Sequence, residues 1–212
     1  MYLGRLLVSL ILFAAALTGW AAGEPQRHLQ VEVAILYGDT SMLLDPATPP
    51  LRRQGLRQHI RSSLGTLGML TRYAIQDGAS PPAQLKKQVA DLRMLFDSNR
   101  LPAFARQLQQ LKSSQPLDVS GFLPLTATPL RLQTGQSIYR NLCIGCHMNP
   151  DKTQANPAPD LFLMARTLPR DEFIARMLGG IHGVQLTSLQ NPFTDEQIIS
   201  MITYFKQTPP AK

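Results

Sequence analysis

Cys143 and Cys146 are the only two cysteines of the chain, and His147 directly follows the second. Side chains three positions apart are neighbours on a helical turn, so local structure alone can bring this trio together. The spacing C-x-x-C-H is the attachment signature of a c-type haem, in which both thiols bond the porphyrin and the imidazole ligates the iron. We therefore predict one covalent haem c, and the cysteine count excludes a second.

Three other interpretations of the two cysteines compete with haem attachment. A disulfide in an oxidising compartment would join the same pair, but it gives no reason for the histidine. A thioredoxin-like redox pair requires a βαβ pattern around it, and no strand-rich segment flanks this one. A zinc ion requires two further ligands close by, and only His182 is offered downstream. Haem attachment accounts best for all three residues.

The residues around the motif resemble the class I cytochrome c family. Gly135 and Tyr139 are four apart and precede Cys143 by another four, as the small and aromatic residues do in the N-terminal helix of that family. Met201 and Tyr204 match the positions at which the family's C-terminal helix packs against the first. The resemblance implies that these two helices cross. It extends from Thr134 to Lys206 and no further.

The segment Pro159-Asp160-Leu161 resembles the family's Pro-x-Leu segment beside the proximal ligand. The resemblance implies that the Pro159 carbonyl accepts a hydrogen bond from the second ring nitrogen of His147, the proximal axial ligand. Such a bond fixes the orientation of a ligating imidazole. It further implies that Tyr139, Pro159 and Leu161 line the haem pocket.

The chain departs from the family just before its last helix. Many bacterial relatives place a methionine, the second axial ligand, where this chain has Leu186. His182 in the same segment is our first candidate for the distal ligand, since neutral imidazole is a common iron ligand. Met164 and Met177 are alternatives that fit better as core residues, and an open distal position is the third option.

The segment from Met1 to Gly23 has the composition of a signal peptide. Arg5 is its only charge, a largely apolar run follows, and small residues stand at a cleavage-like site. We expect export to the periplasm or to the outer face of the cytoplasmic membrane, in agreement with the haem motif. If the segment is not cleaved, Trp20 would lie near a membrane interface and the protein would stay membrane-associated.

The remaining sequence predicts an all-α protein with two regions. Residues 24–125 are predicted as a helical bundle or hairpin region of unknown role that ends in a linker, and residues 126–212 as the monohaem cytochrome c domain. Apolar residues recur at helical spacing in three predicted helices of the first region. They are Leu56, Ile60, Leu64, Leu67 and Leu70, then Leu85, Val89, Leu92 and Phe96, then Phe104, Leu108 and Leu111.

Local signals give further expectations about the ends of helices. Thr134 is predicted to cap the first helix of the haem domain, and Thr194 with Gln197 to form a capping box on the last. The alternation over Leu29–Val33 would suit a short strand, although the residues that follow lose it. We interpret His28 and His59 as surface or capping residues.

The formal net charge of +7 favours acidic protein partners or anionic membrane surfaces. No basic and aromatic recognition motif is present, so a nucleic acid is not an expected partner. The sequence thus predicts an exported c-type cytochrome that exchanges single electrons with redox partners, alone or as a subunit of a larger redox complex. The alternative is a peroxidase-like haem enzyme or a ligand sensor with an open distal site, so whether the chain is an enzyme stays undecided.

Overall fold

The structure is a computed structural model that describes residues 23–79, 82–123, 125–180 and 191–208. These residues are helical with no β-strand, which confirms the all-α prediction. The predicted signal peptide lies outside the described residues except for Gly23. The helices are α1 (Glu24–Leu44), α2 (Pro50–Gln76), α3 (Pro82–Asp97), α4 (Leu101–Ser114), α5 (Pro129–Ile138), α6 (Ile144–His147), α7 (Leu161–Thr167), α8 (Arg170–Leu178) and α9 (Asp195–Gln207).

The first four helices form a bundle around one hydrophobic core. Each apolar residue of the three predicted stripes is buried in it, so those stripes are confirmed. Asp77 ends α2, and Gly78 follows with φ 99°, a left-handed conformation that glycine adopts without strain. Among the described helices, none has the length and apolar composition that a membrane crossing requires.

Helix α1 belongs to two cores at once. Leu29, Val33 and Leu36 pack into the core of the bundle, whereas Val31 and Ile35 pack into a second core made by the C-terminal half. A helix that is apolar on two faces has no single stripe, and its sequence does not show the 3.6-residue period of an amphipathic helix. The strand considered for Leu29–Val33 is therefore wrong, because these residues lie inside α1.

The second core is organised by the crossing of α5 and α9. A side chain on Gly135 would lie closer than 3.0 Å to the backbone oxygen of Ser200 and to Cβ of Tyr204. Only a glycine allows the two helix backbones to approach this closely. Met201 and Tyr204 are both buried in the same core, so the predicted crossing of these helices is present.

The segment between the two regions is packed against the protein. Phe122 is buried in the second core, and Leu117, Val119 and Leu125 pack against the same core. Further contacts tie the bundle to the C-terminal half. Lys112 on α4 pairs with Asp171 on α8 at 2.8 Å, and Gly55 on α2 faces the backbone of Ala155.

The ends of the C-terminal helices follow the sequence signals with one exception. Thr194 and Gln197 form the predicted capping box on α9, and Gly179 ends α8 as expected. The cap predicted at Thr134 is wrong, since α5 begins earlier, at Pro129, and Thr128 caps it. Proline at the first helical position loses no hydrogen bond there. The Thr128 hydroxyl accepts a hydrogen bond from the Arg131 amide at 3.2 Å.

Candidate functional site

The C-x-x-C-H segment begins in a widened turn of helix. Helix α5 continues into a π-helical turn, Tyr139–Cys143, and then into the single turn of α6. Such turns contain one extra residue and are frequent at functional sites. Cys143 is half-buried and Cys146 is exposed, and neither forms a disulfide. Burial raises the pKa of the Cys143 thiol, and the neighbouring Cys146 raises it further.

His147 is held by the backbone of a distant segment. Its Nδ1 lies 2.6 Å from the carbonyl oxygen of Pro159, twelve residues further along the chain. A carbonyl oxygen can only accept, so Nδ1 is the donor and carries the ring proton in a neutral imidazole. The lone pair of that imidazole then resides on Nε2, which is the atom left available as a ligand.

Asp160, which follows Pro159, is the N-cap of α7. Its carboxylate caps α7, accepting hydrogen bonds from the amides of Phe162 at 2.9 Å and of Leu163 at 3.0 Å. Leu161, the first residue of that helix, is consequently buried. Sequence reasoning missed this role of Asp160, although an aspartate directly before an apolar run is a recognised start signal of a helix.

An aromatic cluster surrounds Tyr139, the first residue of the π-helical turn, and consists of Tyr139, Phe162, Tyr204 and Phe205. The ring centroid of Tyr139 is 5.1 Å from that of Phe162, 6.1 Å from that of Tyr204 and 5.7 Å from that of Phe205. Burial raises the pKa of the Tyr139 hydroxyl. Edge-to-face pairs of this kind add to the free energy gained from area burial alone, so the cluster fixes α5, α7 and α9 relative to one another.

The candidates for a distal ligand are only partly within the described residues. His182 and Leu186 lie outside them. Met164 and Met177 are partly buried against the second core, as expected for core residues. Met148 is 53% exposed.

His59 is the one histidine whose interpretation changes. Its Nδ1 is 2.6 Å from a carboxylate oxygen of Asp39, which is only 2% exposed. Its side chain is 21% exposed, so it is half-buried, and it joins α2 to α1 through a buried carboxylate instead of capping a helix. His28 stays near the surface, with Nε2 3.1 Å from the carboxylate of Glu24.

The donor set of the segment suits a covalently attached haem. Two free thiols and an imidazole with an available Nε2 are the protein groups that such a cofactor uses. The described residues contain no cluster of three or more His, Cys, Asp or Glu side chains that could hold a metal ion directly. Thioether attachment requires no such cluster, since the two thiols bond the porphyrin and only the imidazole binds the metal.

Neither protein-family models, curated proteins nor solved structures gave a significant match to this chain. The function is therefore inferred from the C-x-x-C-H segment and its contacts.

Proposed function

We propose that the chain is an exported c-type cytochrome that transfers single electrons through one covalently bound haem, alone or as a subunit of a larger redox complex. The observation that carries the proposal is the hydrogen bond between His147 Nδ1 and the Pro159 carbonyl, beside two free cysteines at C-x-x-C-H spacing. A disulfide would not require an imidazole oriented in this way. A zinc ion would use the same orientation, but it needs further ligands, and the described residues contain no cluster of three or more His, Cys, Asp or Glu side chains.

Each residue has a defined part in the proposal. Cys143 and Cys146 provide the thiols for attachment, and His147 is the proximal ligand through Nε2. Pro159 holds the imidazole in one tautomer, and a hydrogen bond of this type strengthens the ring as a ligand. Tyr139 and Leu161 are both buried in the second core and would line the haem pocket. When bound, the haem supplies a single electron carrier that changes between ferrous and ferric iron.

The packing of the site supports electron transfer because it limits movement. The crossing at Gly135, the aromatic cluster and the Asp160 cap fix three helices around His147. A rigid ligand environment keeps the reorganisation that accompanies a change of charge small. Partners would be acidic or membrane-bound redox proteins, in accordance with the positive net charge.

One sequence observation favours a second candidate function. Leu186 has no donor atom where the family pattern has a ligating methionine. If neither His182 nor a methionine ligates, the distal position would be open, as in a peroxidase-like enzyme or a ligand sensor. His182 would then be the available acid–base group.

Absorption spectra of the purified exported protein distinguish these functions. Electron transfer predicts low-spin spectra in both oxidation states and no change on adding carbon monoxide. A high-spin spectrum that changes with carbon monoxide would favour the open site. Absence of any haem bands, after expression with the maturation machinery for c-type cytochromes, would contradict both candidates.

A further inference from the structure

Ionisable side chains from three helices meet where α1 passes between the two cores. Arg176 on α8 donates through Nη2 to Asp39 on α1 at 2.8 Å. Its Nε and Nη2 also donate to Glu172 at 3.0 and 2.8 Å. His59 on α2 donates to the other oxygen of the Asp39 carboxylate at 2.6 Å. Asp39 thus joins the bundle to the C-terminal half through one carboxylate.

The site has a second carboxylic acid on the bundle side. Glu32 is seven residues before Asp39 on α1, which places both on the same face of the helix. It is only 8% exposed and is hydrogen-bonded to Ser63, which is four residues after His59 on α2. The pairs Asp39–His59 and Glu32–Ser63 therefore follow one another along the contact between α1 and α2.

A glycine on α1 leaves room for the side chains of this cluster. Gly38 directly precedes Asp39, and a side chain at that position would collide with the carboxylate of Glu172. The absence of a side chain lets α8 bring both Glu172 and Arg176 against α1. The cluster is consequently part of the packing between the two cores, since α1 contributes residues to each of them.

The charges of the cluster favour a proton on His59. The hydrogen bond from His59 to Asp39 raises the pKa of the imidazole above its ordinary value, although burial acts against this. Burial alone would raise the pKa of Asp39, but the hydrogen bond from His59 and the charge of Arg176 together lower it. Burial also raises the pKa of Glu32.

Charged groups from two neighbouring helices act on His59. Asp39 and Glu32 on α1 favour its protonated form, and Arg176 on α8 opposes it. Arg52 on α2 interacts with Asp39 and Arg176. At the imidazole, the hydrogen bond to Asp39 and the charges of the two carboxylates outweigh burial and the charge of Arg176.

We propose that His59, Asp39 and Glu32 form a proton-binding site that controls how firmly the helical bundle is attached to the C-terminal half. With His59 protonated, the imidazolium and Arg176 both neutralise Asp39. When the proton leaves, Asp39 loses the positive charge of the imidazolium and keeps its pair with Arg176, and the contact between α1 and α2 is weakened. The site requires no haem and is independent of the proposed electron transfer.

The direction of the pH effect follows from linkage. The raised pKa of His59 gives stability that is complete below its unfolded pKa of about 6.5 and is lost as the pH rises through the folded pKa. The raised pKa of Glu32 acts in the same direction, because the folded state favours the protonated acid. The lowered pKa of Asp39 gives stability that is lost only as the pH falls below about 4. The junction should therefore be firmest in mildly acidic solution.

The test is an NMR titration of the histidines in the exported full chain, together with urea unfolding at about pH 5.5 and about pH 8.5. We expect His59 to titrate above about pH 6.5, and the urea midpoint to be lower at the alkaline pH. His59→Gln should lose at least half of that difference between the midpoints. His28→Gln is the matched control, since His28 also pairs with a carboxylate, but that of Glu24 is exposed whereas that of Asp39 is buried. The control should keep the difference.

Amide hydrogen exchange shows where in the structure the effect occurs, once the exchange rates are corrected for their intrinsic dependence on pH. Protection in α1 and α8 should fall in alkaline solution in the wild-type chain and change less in His59→Gln. A wild-type His59 that titrates at or below about pH 6.5 would overturn the proposal, and that measurement requires no variant to fold. So would His59→Gln with the full wild-type difference between the two midpoints.

Discussion

The carbonyl oxygen of Pro159 lies 2.6 Å from Nδ1 of His147, so the backbone of one segment determines which nitrogen of this imidazole is free to ligate. If His147 is the proximal haem ligand, as proposed, no other residue should replace it. His147→Ala should prevent maturation or give a high-spin product, measured by the absorption spectrum. A low-spin spectrum like that of the wild type would remove His147 from the ligand set.

The crossing of α5 and α9 can be tested at its two tyrosines. Tyr139→Ala and Tyr204→Ala should each lower the free energy of unfolding by about 3–5 kcal/mol, the cost of emptying a buried aromatic site. Tyr73→Ala is the control, because the Tyr73 side chain is 49% exposed and its loss should have a much smaller effect. Losses under about 1 kcal/mol at Tyr139 and Tyr204 would contradict the packing.

Two glycine-to-alanine substitutions, one at the crossing and one away from it, should change the stability in opposite directions. Gly135→Ala should destabilise by about 1–3 kcal/mol, because the added Cβ collides with the backbone of Ser200 on α9. Gly65→Ala should instead stabilise by about 0.5–1 kcal/mol, since it lies within α2 with open space around its Cα. Equal effects of the two substitutions in thermal or urea unfolding would be inconsistent with the close approach.

Removing a buried ion pair should lower the free energy of unfolding more than removing an exposed one. Asp39→Ala removes the buried carboxylate that His59 and Arg176 share, and should destabilise by about 3 kcal/mol. Asp91→Ala removes an exposed pair with Lys87 on the surface of α3, and its effect should be close to the error of the measurement. Urea unfolding at neutral pH compares the two, and similar losses would argue against a special role for the buried cluster.

The sequence predicted those parts of the fold in which one face of a helix is buried. The stripe from Leu56 to Leu70 is an example, because α2 packs against one core and shows its period plainly. It did not predict α1, whose two buried faces remove that period. It also missed the cluster around Asp39, since Asp39 and Arg176 are separated by 137 residues and no local pattern links them.

The candidate site was more predictable than the fold around it. The spacing of C-x-x-C-H led to His147, and the resemblance of Pro159-Asp160-Leu161 to the Pro-x-Leu segment of class I cytochromes c implied its bond to Pro159. The Asp160 cap could have been predicted from its position directly before an apolar run. The motif carries no information on the π-helical turn at Tyr139.

The distal ligand is tested by His182→Ala. If His182 ligates, the oxidised wild-type protein should be low-spin without the near-infrared band of sulfur ligation, and the variant should become high-spin and bind carbon monoxide when reduced. Adding Leu186→Met to that variant should restore a thioether ligand and raise the reduction potential. An unchanged spectrum in His182→Ala would leave Met164, Met177 or an open position.

The most direct test of the central claim is haem staining of the denatured protein after gel electrophoresis, comparing the wild type with Cys143→Ala, Cys146→Ala and the double variant. We predict that haem migrates with the wild-type chain, that each single variant retains it by one bond or loses it, and that the double variant carries none. Haem that still migrates with the denatured double variant, or a wild-type chain without haem after co-expression with the maturation machinery, would contradict the proposal.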